Sequence, residues 1–171
     1  PRHIFLPEGM WPRAYEDTPI PIGFGQTASQ PSLQAYYLSL LRPQSEEKVL
    51  EIGTGTGYQT AVLAHIATEV WTVERDPVLA SEAKGRLDDL GLKHVRLRVG
   101  DGSLGWKEGS PYQGILVTAG APQIPPSLIE QLAPRGYLVI PIGSHDRQRL
   151  VRVTLNPDGT SSARETLMEC R

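Results

Sequence analysis

From Lys48 onwards, short apolar runs alternate with longer stretches in which apolar residues recur at helical spacing. The apolar runs predict strands over residues 49–52, 69–74, 95–99, 115–117 and 137–142. The helical spacing predicts helices over residues 58–67, 77–90 and 127–132, and an earlier one over residues 31–41 that Pro43 ends. Because strands and helices alternate, the pattern predicts an α/β fold with a doubly wound, mostly parallel sheet.

The two ends of the chain depart from this alternation. Two strand patterns, residues 150–155 and 163–168, flank the turn-forming Asn156-Pro157-Asp158-Gly159 and predict a C-terminal antiparallel hairpin. Residues 1–31 contain six prolines and predict an extended Pro-rich arm that precedes the first helix. We therefore expect one domain over residues 1–171, with the α/β core over residues 48–171.

Composition narrows the class of protein. A chain of 171 residues with 39% hydrophobic and 21% charged residues is typical of a soluble globular domain. A net charge of −2 argues against nucleic acid as a partner. A single cysteine, Cys170, and four dispersed histidines predict neither an internal disulfide nor a metal site. The apolar runs are far shorter than the roughly 20 residues that span a bilayer, so we expect a cytoplasmic protein without a membrane partner. We also expect a monomer.

A glycine-rich turn, residues 53–57, follows the first core strand, where a doubly wound sheet binds its ligands. Its sequence does not match a dinucleotide fingerprint, because Tyr58 stands where the third glycine belongs, and it lacks the lysine of a phosphate-binding loop. Glu51 precedes the turn, and a carboxylate there would repel a pyrophosphate and attract a cation. These features favour a nucleoside that carries positive charge, as S-adenosylmethionine does.

Two further acidic residues lie at the ends of predicted strands. Glu74 follows Gly55 by 19 residues, close to the spacing of a ribose-binding carboxylate. Asp101 lies between two glycines after the third strand and has an acceptor for an adenine amino group. Each also has a structural interpretation, Glu74 as an ion-pair partner of Arg75 and Asp101 as part of an Asp-Gly turn. Their occurrence at consecutive strand ends favours the ligand site.

Motifs along nearly the whole chain resemble those of class I S-adenosylmethionine-dependent methyltransferases, and of the protein-L-isoaspartate O-methyltransferase family in particular. The segments that carry the resemblance are Pro21-Ile22-Gly23-Phe24-Gly25-Gln26-Thr27-Ala28-Ser29-Gln30-Pro31, Val49-Leu50-Glu51-Ile52-Gly53-Thr54-Gly55-Thr56-Gly57, Gly100-Asp101-Gly102 and Thr118-Ala119-Gly120-Ala121-Pro122. The resemblance implies a Rossmann-like methyltransferase fold. It also implies methylation of the α-carboxylate of isoaspartyl residues in damaged proteins and peptides, with S-adenosylmethionine as donor and S-adenosylhomocysteine as product.

The resemblance assigns roles to individual residues. Ser29 takes the position of the family's active-site serine. The implied cofactor-binding residues are Gln26, Thr27, Ala28, Glu51, Gly53, Thr54, Gly55, Gly57, Glu74, Asp101 and Gly102, of which the first three belong to a loop shared with the substrate. Ala28 and Arg135 depart from the family's usual residues, and the family also has a helical segment before Pro1 and a closing segment after Arg171.

The implied reaction limits what Ser29 has to do. An α-carboxyl group has a reference pKa of about 3.5, so the acceptor is ionised at neutral pH and needs no general base. We therefore expect Ser29 to orient the acceptor by hydrogen bonding and not to act as a nucleophile. Judged from its neighbours alone, Ser29 is better interpreted as the N-cap of the helix that begins at Pro31.

Of four alternatives to this enzyme, two stay open and two are disfavoured by the sequence. A homologue that binds S-adenosylmethionine with weak or no turnover stays open, as does a methyltransferase for another substrate. An amino-directed nucleic-acid methyltransferase is disfavoured, because Thr118-Ala119-Gly120-Ala121-Pro122 replaces its [DN]-P-P-[YF] segment. A dehydrogenase is disfavoured by the missing third glycine.

Overall fold

The computed structural model describes residues 1–144 and 147–158, together with the backbone of residues 162–170. Its helices are α1 (Pro31–Leu41), α2 (Tyr58–Ala64), α3 (Pro77–Asp89) and α4 (Pro126–Glu130). Its strands are β1 (Ile20–Gly23), β2 (Gln26–Ala28), β3 (Lys48–Ile52), β4 (Glu69–Glu74), β5 (Val95–Val99), β6 (Tyr112–Val117), β7 (Leu132–Ser144), β8 (Arg147–Leu155) and β9 (Ser162–Cys170). Short 3₁₀ helices cover Arg2–Phe5, Glu8–Arg13, Gly102–Leu104 and Lys107–Gly109.

Seven of these strands form one sheet in the order β5-β4-β3-β6-β7-β8-β9. The first five in this order pair in parallel, and β7, β8 and β9 pair antiparallel. The chain proceeds outward from β3 in one direction through β4 and β5, and resumes on the other side at β6. The topological switch point therefore lies between β3 and β6, and the predicted doubly wound sheet with its C-terminal antiparallel hairpin is confirmed.

Helices cover both faces of the sheet, so its central strands are apolar on both sides. On one face, α1, α2 and α3 bury Leu41, Leu63 and Leu87 against the strands. On the other face, α4 buries Leu128 beside Ile115. Successive residues of each strand alternate between these two cores, because side chains on a strand point to opposite faces.

The N-terminal segment is folded, and the prediction of an extended arm over residues 1–31 is wrong. Two 3₁₀ helices are followed by the β1–β2 hairpin. A small core of this segment buries Leu6, Ala14, Ile20, Ile22 and Ala28 against Leu79 of α3. The prolines do not prevent this, because Pro12 lies in a 3₁₀ turn and Pro21 in a two-stranded ribbon that has free edges on both sides.

Several predicted bounds shift where an element joins its neighbour. The helix after the glycine turn ends at Ala64, three residues early, because a tighter turn closes with the Ile66 N–H donating to the Leu63 carbonyl. Helix α4 stops at Glu130, since Leu132 already belongs to β7 and pairs with Tyr112. Gly159 of the predicted C-terminal turn and His145 lie outside the described residues.

Candidate active site at the carboxyl ends of the strands

A large cleft opens where the central parallel strands end, next to the β1–β2 hairpin. Its volume is about 1460 Å³, whereas pockets for one small molecule have roughly 300–1,000 Å³. Ten of the twelve residues that sequence analysis singled out line this cleft: Gln26, Thr27, Ala28, Ser29, Gly53, Thr54, Gly55, Glu74, Asp101 and Gly102. Glu51 and Gly57 are not part of its lining.

The glycine turn follows β3 and has a backbone that only glycine adopts easily. Gly53 has φ 96° and Gly55 has φ 54°, both in the region that L side chains rarely occupy. A Cβ atom on Gly53 would lie 2.5 Å from Oγ1 of Thr118. That hydroxyl donates to the carbonyl oxygens of Ile52 and Gly53 at 3.1 and 2.8 Å. The turn is therefore held against the end of β6 and exposes backbone to the cleft.

Gly57 serves the packing of helices and not the cleft. It is the N-cap of α2 and has φ 90°. A Cβ atom at this position would lie 3.3 Å from the Cβ of Ala83 in α3. The glycine thus allows α2 and α3 to approach each other, which explains its place in the motif without a ligand contact.

Glu74, the last residue of β4, fixes the glycine turn from the neighbouring strand. Its Oε2 accepts a hydrogen bond from the Gly55 backbone N–H at 2.8 Å. Its Oε1 accepts from the backbone N–H groups of Arg75 and Asp76 at 2.8 and 3.0 Å. A carboxylate has about four acceptor positions. The three bonds therefore hold the side chain in place at the cleft wall and leave acceptor capacity for a ligand hydroxyl.

Glu51 does not face the cleft, which contradicts the prediction that its carboxylate lies beside a cationic ligand. It is fully buried on the sheet face that α2 covers. Its Oε2 accepts hydrogen bonds from Thr60 and, at 2.8 Å, from Thr72. Its Oε1 has no hydrogen-bond partner. Burial raises the pKa of Glu51 to about 7, against the opposing hydrogen bonds from the two threonines.

Asp101 and Gly102 form the third wall of the cleft, after β5. The Asp101 carboxylate accepts from the Ser103 N–H at 2.9 Å and caps the 3₁₀ helix that follows. Hydrogen bonds from the Ser103 side chain and backbone lower the pKa of Asp101, so this exposed carboxylate is ionised at neutral pH. A side chain on Gly102 would collide with Cγ2 of Ile52. The two interpretations of Asp101 are compatible, because the capping residue also lines the cleft.

Ser29 lies at the end of β2, where the hairpin meets α1. The N-cap of α1 is Gln30, and no side chain forms a capping hydrogen bond there, so the interpretation of Ser29 as the N-cap is wrong. The Ser29 carbonyl oxygen accepts from Nη2 of Arg2 at 2.9 Å. The Ser29 side chain therefore does not cap the helix, and Ser29 lines the cleft.

Arg2 is a site-supporting residue that sequence analysis missed. Its guanidinium is buried and also donates to the Ala14 carbonyl at 2.7 Å and to Oε1 of Gln34. Burial lowers the pKa of this group. Arg2 thereby joins the N-terminal segment to Ser29 and to the cleft-lining Gln34 of α1. An arginine next to the first residue gives no local signal of burial, because its partners are 12 to 32 residues away.

The residues present fit S-adenosylmethionine. The glycine turn gives backbone access, Glu74 has acceptor capacity for the ribose hydroxyls, and Asp101 has it for the adenine amino group. The volume of the cleft leaves room for a second ligand beside the first. Among the described residues, no group of three or more His, Cys, Asp or Glu side chains is placed to hold a metal ion. No helix in that part of the chain has the length and apolar character needed to cross a membrane.

Comparison with known proteins gives a consistent result. The family model described as Protein-L-isoaspartate(D-aspartate) O-methyltransferase matches residues 1–171. The chain is 52% identical over 171 residues to the protein-L-isoaspartate O-methyltransferase of Geobacter metallireducens and covers 79% of that relative. It is 51% identical to the corresponding enzyme of Trichlorobacter lovleyi and covers 78% of it.

Solved structures agree with the fold. One protein-L-isoaspartate O-methyltransferase matches with a TM-score of 0.88 and 31% identity, and this chain aligns over its whole length with 56% of that one. A Plasmodium falciparum protein of the same description, solved in complex with S-adenosyl-L-homocysteine, matches with a TM-score of 0.81 and 24% identity over 98% of this chain and 83% of the other. The chain therefore belongs to the protein-L-isoaspartate O-methyltransferase family of S-adenosylmethionine-dependent carboxyl methyltransferases.

Proposed function

We propose that the cleft binds S-adenosylmethionine and an isoaspartyl acceptor together, and that Ser29 orients the acceptor carboxylate for methylation. The observation that carries the proposal is the meeting of three elements in one cleft: the glycine turn, the Glu74 carboxylate and the Ser29 segment. The family's activity supports the substrate class, namely isoaspartyl residues of proteins and peptides. A single domain, a monomeric state and a cytoplasmic location remain predictions.

When bound, S-adenosylmethionine supplies an electrophilic methyl group. The acceptor carboxylate is ionised at neutral pH, so the chain does not have to remove a proton from it. Opposite charges disappear during the transfer, and a site that excludes water assists such a step. Apolar residues line part of the cleft, among them Ile22, Leu33, Val117 and Leu128, and are suited to such a step.

The remaining contribution of the chain is positioning, which can supply several kcal/mol of a reaction barrier. The Ser29 hydroxyl is suited to hold one carboxylate oxygen, because β2 and α1 fix the backbone on either side of it. Arg2 donates a hydrogen bond to the backbone carbonyl of Ser29 and so helps to fix its position. Glu74 holds the opposite wall through Gly55.

Substitution of Ser29 tests the proposal. We expect Ser29→Ala to lower turnover of an isoaspartyl peptide by roughly 10- to 1,000-fold, within the range seen for lost orienting or stabilising hydrogen bonds. Calorimetric affinity for S-adenosylhomocysteine should stay within about threefold of the unsubstituted chain. The matched control is Ser39→Ala on the exposed side of α1, where the hydroxyl donates only to the Tyr36 carbonyl, and its turnover should not change.

Two results would contradict the proposal. A covalent adduct on Ser29, detected by mass spectrometry during turnover, would show a nucleophile instead of an orienting group. Binding of S-adenosylhomocysteine by the unsubstituted chain without any methyl transfer to an isoaspartyl peptide would favour the alternative of a homologue that binds the donor without turnover.

A further inference from the structure

The cleft contains a buried amide that has no hydrogen-bond partner. Gln59, the second residue of α2, lines the cleft and is only 4% exposed. Neither its Nε2 nor its Oε1 forms a hydrogen bond. Among the described residues, no other glutamine side chain has both of its polar atoms buried and unpartnered.

Gln131 shows how this chain treats a buried glutamine that has a structural role. It is 6% exposed, close to the value for Gln59, and it is not part of the cleft lining. Its Oε1 accepts from the Trp106 N–H at 2.8 Å and its Nε2 donates to the Leu104 carbonyl at 2.9 Å. Both ends of this amide are satisfied within the chain, whereas both ends of the Gln59 amide are free.

A free amide in such a place lowers the stability of the folded chain, since buried polar groups are normally paired. A leucine of similar volume would avoid this destabilisation. A destabilising polar group at the edge of a ligand cleft is typical of a residue whose partner is the ligand itself.

The position of Gln59 defines the chemistry of that partner. It is the second residue after the glycine turn and lines the same cleft as Ser29, so it shares that cleft with both proposed ligands. An amide has a donor on one atom and an acceptor on the other. This combination suits a carboxylate that has an N–H group beside it, as in an α-amino acid.

We propose that Gln59 is a ligand-binding residue whose Nε2 donates a hydrogen bond to an α-carboxylate in the cleft. The proposal rests on the proposed function, because both reactants contain such a group. In the donor it belongs to the methionine moiety, and in the acceptor it is the isoaspartyl carboxylate that receives the methyl group. Gln59 would accordingly favour ligands that have an α-carboxylate, whether in the methionine moiety of the donor or in the isoaspartyl acceptor.

The experiment compares two single variants of the full chain, Gln59→Leu and Gln131→Leu, in three measurements. The first is the melting temperature without ligand. Gln59→Leu should melt at the same temperature as the unsubstituted chain or higher, and Gln131→Leu should melt lower, because only the latter breaks hydrogen bonds. Gln59→Met serves as a second apolar variant in case leucine disturbs the packing of α2.

The second and third measurements identify the source of the carboxylate. If it is the donor's, Gln59→Leu weakens calorimetric binding of S-adenosylhomocysteine roughly tenfold and leaves that of 5′-methylthioadenosine, which lacks the amino-acid part, unchanged. If it is the acceptor's, the variant raises the KM of an isoaspartyl peptide roughly tenfold and leaves S-adenosylhomocysteine binding unchanged. Gln131→Leu should change neither affinity at a temperature where it is folded.

The proposal is overturned if both Gln59 variants bind S-adenosylhomocysteine and the peptide as the unsubstituted chain does. It is also overturned if they lower the melting temperature as Gln131→Leu does while both affinities stay the same, because the amide then has a structural partner. Failure of the unsubstituted chain to bind S-adenosylhomocysteine would refute the proposed function itself, and that measurement involves no variant of Gln59.

Discussion

Two buried glutamates at the ends of neighbouring strands have opposite environments. Glu74 at the end of β4 is 8% exposed, lines the cleft and accepts hydrogen bonds from three backbone N–H groups. Glu51 near the end of β3 is fully buried and does not reach the cleft. Its carboxylate accepts hydrogen bonds only from the hydroxyls of Thr60 and Thr72. One carboxylate organises backbone at the binding edge of the sheet, and the other lies unexposed beneath α2.

The register of the two strands explains the difference. Glu51 pairs with Thr72, and Ile52 pairs with Val73, so Glu74 lies one position beyond the end of β3. Its side chain can therefore meet the Gly55 N–H of the turn that follows β3. Glu51 lies within the pleat, on the face with Thr72, and points into the core beneath α2. A short offset along the strands thus separates a cleft residue from a core residue.

The largest effect should come from the titration of Glu51. Its pKa is about 7 in the folded chain and ordinarily 4.5. Below pH 4.5 both the folded and the unfolded chain hold this proton, and the folded chain has its full stability. As the pH rises to 7, the unfolded chain releases the proton first, so stability falls, by about 1.4 kcal/mol per pH unit and on the order of 3 kcal/mol in all.

Glu51→Gln, which resembles the protonated acid, should remove this pH dependence. Urea unfolding of both chains between pH 5 and pH 8 gives the difference in the free energy of unfolding, from which the other titrating groups cancel. We expect the difference to move in favour of the glutamine chain as the pH rises. A difference that does not vary with pH would show that Glu51 ionises in the fold as it does in the unfolded chain.

The next effect should come from Glu74, both of whose carboxylate oxygens accept hydrogen bonds from the backbone. In Glu74→Gln an NH₂ group replaces one acceptor oxygen and faces a backbone N–H. We expect a loss of about 2 kcal/mol in the free energy of unfolding, because part-buried N–H groups lose their acceptor. Calorimetric affinity for S-adenosylhomocysteine should fall at least tenfold, since the glycine turn is no longer fixed.

The same substitution in the two glutamates is thus expected to act in opposite directions at pH 8. Glu74→Gln should weaken both folding and binding, whereas Glu51→Gln should strengthen folding and change binding little. Equal effects of the two variants on S-adenosylhomocysteine affinity would contradict the distinction between a cleft residue and a core residue.

Local patterns were sufficient to predict the sheet. The strands β4 and β5 have the predicted bounds. Strand β4 is buried over most of its length, whereas β5 lies at the edge of the sheet and alternates apolar residues with Arg96 and Arg98. The N-terminal segment was mispredicted because its proline content reports only backbone preference. Its burial depends on contact with Leu79, more than 50 positions after Ala14 and Ile20, which no local pattern contains.

The candidate site likewise contains some residues that local sequence patterns predict and others that only the folded chain reveals. The glycine turn, Glu74 and Asp101 follow predicted strands, so their common edge could be deduced from parallel topology. The position of Glu51 was mispredicted because nearness to the turn along the chain does not show that Thr60 of α2 and Thr72 of β4 enclose its side chain. Arg2 and Gln59 could not be found from sequence, because the burial of one and the unpaired amide of the other exist only in the folded chain.

The smallest effect should come from Thr72, which links the two environments. Its hydroxyl donates to Oε2 of Glu51 at 2.8 Å and lies 2.6 Å from the hydroxyl of Thr54, which belongs to the glycine turn. Thr72→Val keeps the shape of the side chain and removes both contacts. We expect a loss of about 1 kcal/mol in the free energy of unfolding at pH 8, where Glu51 is ionised and the hydrogen bond matters most.

The pH dependence distinguishes this loss from a packing defect. A hydrogen bond to the carboxylate opposes the effect of burial, so its removal should raise the pKa of Glu51 further and extend the decline in stability to higher pH. Urea unfolding of Thr72→Val and of the unsubstituted chain at pH 5 and pH 8 measures this. Binding of S-adenosylhomocysteine should stay nearly constant, because Glu74 still holds Gly55. An equal loss at both pH values would mean that Thr72 acts through packing alone and that Glu51 draws its stabilisation from Thr60.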